Sequence, residues 1–307
     1  MIEKAPSAFT QELIGELTSD HYRFRAWRRF MSRSWERSLN DIKESPARAR
    51  SLWVWAGAVA TAGSTVVLLA WLFHAPETGI RALTLWLPWY AGSVFFVLTH
   101  LGMADDSRGM PHHSLLLPNG LSFLRLALAP LVLVPFLSLP AHAMTGLVFA
   151  MFLMAISVTD VLDGWIARRR KISTRLGRML DSLADLAFIT FLGFALYRVD
   201  AIPGSLLWLI VVRYPMMLVG VTVLYFAKGP APLSPTIIGK VTTFATSVVL
   251  LVIAITLLVA TPWLPALWVD WSVWCLEILI GANILFLIYS GVVWTGSKKT
   301  ANDASSR

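Results

Sequence analysis

The chain has 307 residues, of which 56% are hydrophobic and only 14% charged, against about a quarter charged in a soluble domain. That balance excludes an ordinary water-soluble globular domain and makes the bilayer the solvent for most of the chain. A lone cysteine, Cys275, excludes an internal disulfide and a cysteine metal site, and the net charge of +8 is unevenly placed, with ten of the 26 Lys and Arg in residues 1–50 and six in 168–178.

Residues 1–51 hold no long apolar run. The stretch HYRFRAWRRFMSRSWERS mixes Arg with Trp, Tyr and Phe. It reads either as an amphipathic helix on anionic lipid or as a basic cytoplasmic arm that only fixes topology. No short apolar core with a small-residue cleavage site follows Met1, so no signal peptide is expected. Segments long enough to span, at roughly 20 residues each, then follow at 52–73, 83–102, 119–140, 142–165, 177–198, 204–227, 238–260 and 272–295. The breaks between them include HAPETGIRA, DDSRGMPHH, the RRRK run, VDAIPG and KGPAPLSP. Many of the 14 Trp fall near span ends, where an aromatic belt belongs.

Eight spans put both termini on one side. The basic arm, the 168–178 loop and Lys298–Lys299 fall on that same side, which the positive-inside rule makes cytoplasmic. The expected organisation is a basic arm at 1–51, a two-span hairpin at 52–103, a six-span domain at 104–297 and a cytoplasmic tail at 298–307. The hairpin carries no ionisable residue in its apolar cores, so packing or anchoring is its expected role. His112 and His113 are expected to be solvated loop residues.

The fourth and fifth spans meet in DVLDGWIARRRKISTRLGRMLDSLAD, residues 160–185. Asp160, Asp163, Gly164 and Ala167 share one helical face, and Gly177, Asp181, Ala184 and Asp185 share another. Small residues let the two helices approach closely, so four carboxylates converge across a short basic loop. Unpaired, they would repel one another and lose hydration, so either they hold protons or cations fill the site. Oxygen-only ligands suit Mg²⁺ or Mn²⁺, and two such ions offset four negative charges. Paired metals clamp the two oxygens of a phosphoryl displacement, and the adjacent Arg168, Arg169, Arg170, Lys171 and Arg175 suit a phosphate. The bland alternative is a salt bridge between these aspartates and the loop arginines.

The pattern D-x2-D-G-x2-A-R-x8-G-x3-D-x3-D resembles the signature of the CDP-alcohol phosphatidyltransferase family, with each fixed position present. The resemblance covers about residues 118–295. It implies an all-α integral membrane enzyme with a six-helix catalytic bundle, here preceded by the two-helix hairpin, and a homodimer. By position it implies that Asp160, Asp163, Asp181 and Asp185 hold the divalent metals and that Asp185 is the general base. It further implies that Gly164, Arg168, Thr174 and Gly177 bind the CDP-lipid. LPNGLSFLRLALAP, 117–130, is similar to the family's P-N-x-L-[ST]-x-x-R stretch and adds Asn119 to that site. On physics alone, Pro118–Asn119 reads as a helix start.

Arg125, two turns into an apolar span, needs a partner or a phosphate. Arg213 is a second intramembrane cation, whose alternatives are pairing with an aspartate or with Glu277. Lys240 lies in IIGKVTTF, which resembles the family's Gly-Lys-x-x-Thr stretch. Arg125, Arg213 and Lys240 are therefore expected at the acceptor's phosphate. Glu277 and Asn283 carry no assigned role. The family's phosphatidylglycerophosphate synthases usually have Arg-Glu where this chain has Arg213–Tyr214, and Asp-Pro-Leu-Ala-Asp-Lys where it reads DSLADLA; both departures bear on the acceptor.

The resulting expectation is transfer of a phosphatidyl group from CDP-diacylglycerol to glycerol 3-phosphate, with release of CMP, at the cytoplasmic face of the cell (inner) membrane. Acceptors of the cardiolipin, inositol phosphate or choline/ethanolamine type are alternatives. A non-catalytic divalent-cation transporter or membrane scaffold is the alternative of a different class. No nucleic acid is expected as a partner.

Overall fold

The computed structural model describes residues 15–20, 23–44, 46–73, 76–101, 115–137, 143–170, 174–214, 237–259 and 266–305. Its elements are α1 (Phe24–Glu44), α2 (Pro46–Phe73), α3 (Pro76–Thr99) and α4 (Leu117–Leu128), which continues as a 3-10 helix over Ala129–Phe136. Then come α5 (Ala143–Arg170), α6 (Arg175–Arg198), α7 (Gly204–Tyr214), α8 (Ile237–Leu258) and α9 (Ala266–Ser305). There is no strand among the described residues. The chain forms two compact units, 1–191 and 192–307, whose boundary falls inside α6.

Among the described residues, seven helices are long and apolar enough to cross a membrane, so the protein is an all-α, multi-pass membrane protein. Of the sixth expected span, 204–227, the described part is the short apolar helix α7, and the remainder lies outside the described residues. His112, His113, Lys171 and Pro215 also lie outside them. The second span begins earlier than expected: α3 starts at Pro76, inside the HAPETGIRA break. Proline at the first helical position and Glu77 in the first turn are helix-start signals, and they convert most of that break into helix.

In the first unit, α4 is the central helix. Nearly all of its residues are buried, whereas α2, α3 and α5 turn Leu68, Leu87, Phe95 and Met151 outward. Pro118 sits in its first turn, as a helix start requires. At Ala129–Pro130 the helix tightens to 3-10, because proline has no N–H for the i−4 carbonyl, which is that of Leu126. Leu126 O still accepts from the Ala129 N–H, but the bond from position 130 is lost, and in hydrocarbon no water takes its place. The hairpin supplies the donors: Trp89 Nε1 donates to Leu126 O at 2.7 Å and Trp86 Nε1 to Ala127 O at 3.1 Å. From α2, the Trp55 ring packs directly on Gly120, where any Cβ would overlap it, and Ser51 Oγ accepts from the Leu115 N–H at 2.6 Å. The hairpin is thus hydrogen-bonded to α4 as well as packed against it.

The second unit begins with the end of α6. Asp200, at φ 55°, takes the left-handed position after that helix, and Ala201 N–H returns to Leu196 O at 2.9 Å. That closure satisfies a terminal carbonyl before α7 begins.

Candidate active site

Asp160 and Asp163 project from the last three turns of α5, and Asp181 and Asp185 from the first three turns of α6. The i,i+3 and i,i+4 spacings put each pair on one helical face, and the two faces meet over α4. There Arg125, with its side chain only 2% exposed, lies among all four carboxylates. Its Nη1 donates to Asp160 Oδ1 and stands 3.9 Å from Asp163 Oδ2. Its Nη2 donates to Asp181 Oδ1 at 2.8 Å and lies 3.0 Å from Asp185 Oδ1. A guanidinium at this depth requires such partners. Arg125, expected at an acceptor's phosphate, therefore spends both terminal nitrogens on carboxylates. Among the described residues, the cation that gathers the aspartates comes from a third helix.

Asp163 is the most enclosed of the four, and Ser122 Oγ lies 2.9 Å from its Oδ2. The same hydroxyl is 3.1 Å from Pro118 O, and the charged acceptor makes the stronger bond. Ser122 was not singled out in the sequence. Its signal is there, since Asn119, Ser122 and Arg125 recur every third residue along one side of α4.

A second cluster joins α4 to the start of α6. Thr174 Oγ1 accepts from the Gly177 N–H at 2.9 Å and donates to Asn119 Oδ1 at 3.1 Å. Thr174 is thus the N-terminal cap of α6. A Cβ on Gly177 would overlap Asn119 Oδ1, so glycine is what allows this close approach. Asn119 is 3% exposed, yet its Nδ2 has no hydrogen-bond partner among the described residues. A buried amide left unpaired is costly, and this one points to a ligand. Arg168, on the exposed end of α5, lies along Gly164, where a Cβ would stand 3.1 Å from its Nη1.

The donor set fits a divalent metal. Asp160, Asp163 and Asp181 each offer a carboxylate oxygen within 4.8 Å of the others, and all three ligands are oxygen. Arg125 brings one positive charge to four carboxylates, so on its own it leaves three negative charges unmatched.

The second unit holds its own buried cation. Arg213, 3% exposed, donates from Nε to Asn283 Oδ1 at 3.0 Å and from Nη1 to the Tyr214 hydroxyl at 2.9 Å. Its Nη2 donates to Gly239 O at 3.1 Å and Thr243 Oγ1 at 3.0 Å. Every one of these partners is neutral. Glu277, an expected partner, instead accepts from Ser205 at 2.6 Å. Asn283 is buried and its Nδ2 is unpaired among the described residues. Sequence reasoning gave Asn283, Tyr214 and Thr243 no role, because their part depends on contacts between α7, α8 and α9. Lys240 is exposed in the first turn of α8.

These features define a class: a multi-pass helical membrane protein with an oxygen-rich, phosphate-suited site where three helices meet. The family model described as CDP-alcohol phosphatidyltransferase matches residues 115–285, more than half of the chain. The chain belongs to that family and is an enzyme of its type. It is 34% identical over 140 residues to the CDP-diacylglycerol–glycerol-3-phosphate 3-phosphatidyltransferase of Aquifex aeolicus, a match covering 45% of this chain and 75% of that one. It is also 34% identical over 143 residues to the CMP-forming cardiolipin synthase of Rattus norvegicus, covering 41% and 46%. To the CMP-forming cardiolipin synthase of Streptomyces coelicolor it is 33% identical over 141 residues, covering 46% and 65%.

Proposed function

We propose that this enzyme transfers the phosphatidyl group of CDP-diacylglycerol to the hydroxyl of glycerol 3-phosphate and releases CMP. The observation that carries the reading is the convergence of four carboxylates, from two helices, around one buried guanidinium on a third. Asp160, Asp163, Asp181 and Asp185 would hold two Mg²⁺ (or Mn²⁺) ions. When bound, these supply charge neutralisation at the diphosphate and at the departing CMP.

The chain's own groups do the rest. Asp185 accepts the proton of the acceptor hydroxyl. The hydroxyl oxygen forms its bond to the lipid-side phosphorus as the bond from that phosphorus to the CMP oxygen breaks. Gly177 lets the nucleotide lie close to α6, and Asn119 Nδ2, unpaired among the described residues, offers it a hydrogen bond. Arg168, on the exposed end of α5, meets phosphate charge. In the second unit, the described partners of Arg213 are all neutral, and with Asn283 Nδ2 it is suited to an acceptor's phosphate. Lys240 adds a second cation.

The positive-inside asymmetry supports a cytoplasmic site in the cell (inner) membrane, and we assign a homodimer as the working assembly. A second acceptor, phosphatidylglycerol, is favoured by the relatives named cardiolipin synthases. The test is CMP release by the purified protein with CDP-diacylglycerol, Mg²⁺ and a panel of glycerol 3-phosphate, phosphatidylglycerol, inositol phosphate and simple alcohols, with product lipids read by mass. Release with glycerol 3-phosphate, lost in Asp185→Asn protein that still folds, supports the proposal. Release with another acceptor corrects the substrate. No release with any acceptor points to a transporter or scaffold.

A further inference from the structure

We infer that α1 is an interfacial helix that binds an anionic phospholipid surface, on the same membrane face as the α5–α6 carboxylate site. The inference is independent of the reaction proposed above.

Its position is the first argument. Trp35 precedes Pro46 by 11 residues, so a straight continuation of α2 would carry it about 16 Å beyond the start of that span. Instead, Trp35 stacks on Phe95 of α3 with ring centroids 5.6 Å apart, and Ser38 Oγ donates to Thr99 O at 2.6 Å. Arg48 Nη1, 3.5 Å from Leu101 O, ties the start of α2 to the end of α3. The helix therefore folds back against the end of the hairpin. Phe95 belongs to a span and is 55% exposed, which in a membrane means exposed to lipid. An aromatic ring stacked on it sits at the edge of the bilayer.

Its faces are the second argument. On one side Arg29 pairs with Asp20 and Arg33 with Glu16, which pins the short helical turn at 15–20 beneath α1 and buries Leu17 and Ala26. The other side carries Phe24, Met31, Trp35 and Leu39, which fall within one stripe at 100° per residue and are all exposed. Arg25 borders that stripe, Arg28 lies within it between Trp35 and Leu39, and both are exposed. The helix holds six Lys and Arg against three Asp and Glu. An apolar stripe edged with arginine, continuous with a lipid-facing span, matches an anionic headgroup layer.

Its sidedness is the third. With each span of the first unit crossing once, the start of α2, the end of α3, the end of α5 and the start of α6 fall on one side of the membrane. The lipid bound by α1 therefore belongs to the leaflet that the carboxylate site meets.

The test uses full-length Cys275→Ser protein in lipid nanodiscs, spin-labelled at Met31→Cys or at Asn40→Cys on the opposite face. Collision with oxygen, which concentrates in lipid, is compared with collision with a water-soluble nickel chelate. The Met31 label should meet oxygen several-fold more than nickel, the Asn40 label the reverse. Replacing part of the phosphatidylcholine with phosphatidylglycerol should deepen the Met31 label only. Phe24→Cys gives the same reading should Met31→Cys fail to fold. Nickel access equal at both faces overturns the proposal. So does a Met31 label shielded from both reagents, which means that protein covers the stripe. Immersion indifferent to lipid charge overturns the assignment of an anionic surface.

Discussion

Replacing Arg125 with Met removes a cation shared by four aspartates while keeping the side chain's length and apolar stem. Arg125 is 2% exposed, so no water replaces the lost charge at that spot. Breaking a buried ion pair from one side costs about 3–5 kcal/mol. Asp160 and Asp181 are each 49% exposed and can recover some hydration, which favours the lower end, about 3 kcal/mol. For a protein of this size each kcal/mol moves the unfolding midpoint by about 2–4 °C, giving a fall of ~6–12 °C in the absence of divalent cation. Mg²⁺ should narrow the gap, since a ligand at 100 times its dissociation constant adds about 2.7 kcal/mol and the variant has more uncompensated charge for it to neutralise. The assay is thermal unfolding in nanodiscs, followed by intrinsic fluorescence from the 14 tryptophans, with EDTA or with MgCl₂. Arg125→Lys should fall between the two proteins, because an ammonium cannot reach four carboxylates with a planar fork. A midpoint unchanged in EDTA, or lowered equally with and without Mg²⁺, would refute the idea that this guanidinium holds the cluster together. A raised acceptor KM with unchanged stability would instead return Arg125 to the acceptor's phosphate.

Gly177→Ala forces a Cβ onto Asn119 Oδ1 and to 3.0 Å from Thr174 Oγ1; overpacking of about 1–3 kcal/mol should raise the KM for CDP-diacylglycerol about 5- to 150-fold, with the acceptor KM unchanged in initial-rate assays. Arg213→Gln removes the charge from the second unit's polar cluster. The loss of a charge-assisted bond, about 1.5–3 kcal/mol, should appear as a rise of at least about tenfold in KM for a phosphorylated acceptor, and an unchanged value would exclude Arg213 from that role. Trp89→Phe keeps the edge contact with Phe191 but deletes the donor to Leu126 O. About 1 kcal/mol of lost hydrogen bonding should lower the midpoint by roughly 2–4 °C, with KM values unaltered.

What could be read from the sequence was whatever repeats at helical spacing. The aspartates sit three and four residues apart, so their shared faces follow from 3.6 residues per turn. The proximity of Asn119, Thr174 and Gly177 came only through a resemblance, because it joins positions 55 and more residues apart. Arg125 announced itself as an intramembrane charge that needs a partner, but nothing along the chain says which. Four aspartates and a phosphate satisfy the same requirement. The indole donors of Trp86 and Trp89 were invisible for a related reason. Tryptophan in a span reads as belt or packing, and its N–H acquires a task only when a proline-broken helix lies beside it. At 74–82 the error had a different origin: polar residues and proline suggested a loop where Pro76 and Glu77 start a helix.

The several demands on α4 explain one another. Carboxylate oxygens 4.8 Å apart repel by about 3–4 kcal/mol per ionised pair at an effective dielectric near 20, enough to drive α5 and α6 apart unless positive charge stays between them. A guanidinium is suited to that task because it never loses its charge and reaches several acceptors at once. It must arrive from a third helix, since a cation on α5 or α6 would be tied to one side of the pair. That requirement puts α4 at the centre of the first unit, buried on nearly every face. A helix so placed cannot turn the carbonyls that lose a helical bond around Pro130 toward water, and in a bilayer there is none to find. The hairpin answers that need, with Trp86 and Trp89 donating to Ala127 and Leu126 and Trp55 closing over Gly120. The two spans ahead of the family domain therefore hold the helix that holds Arg125, and Arg125 holds the aspartates.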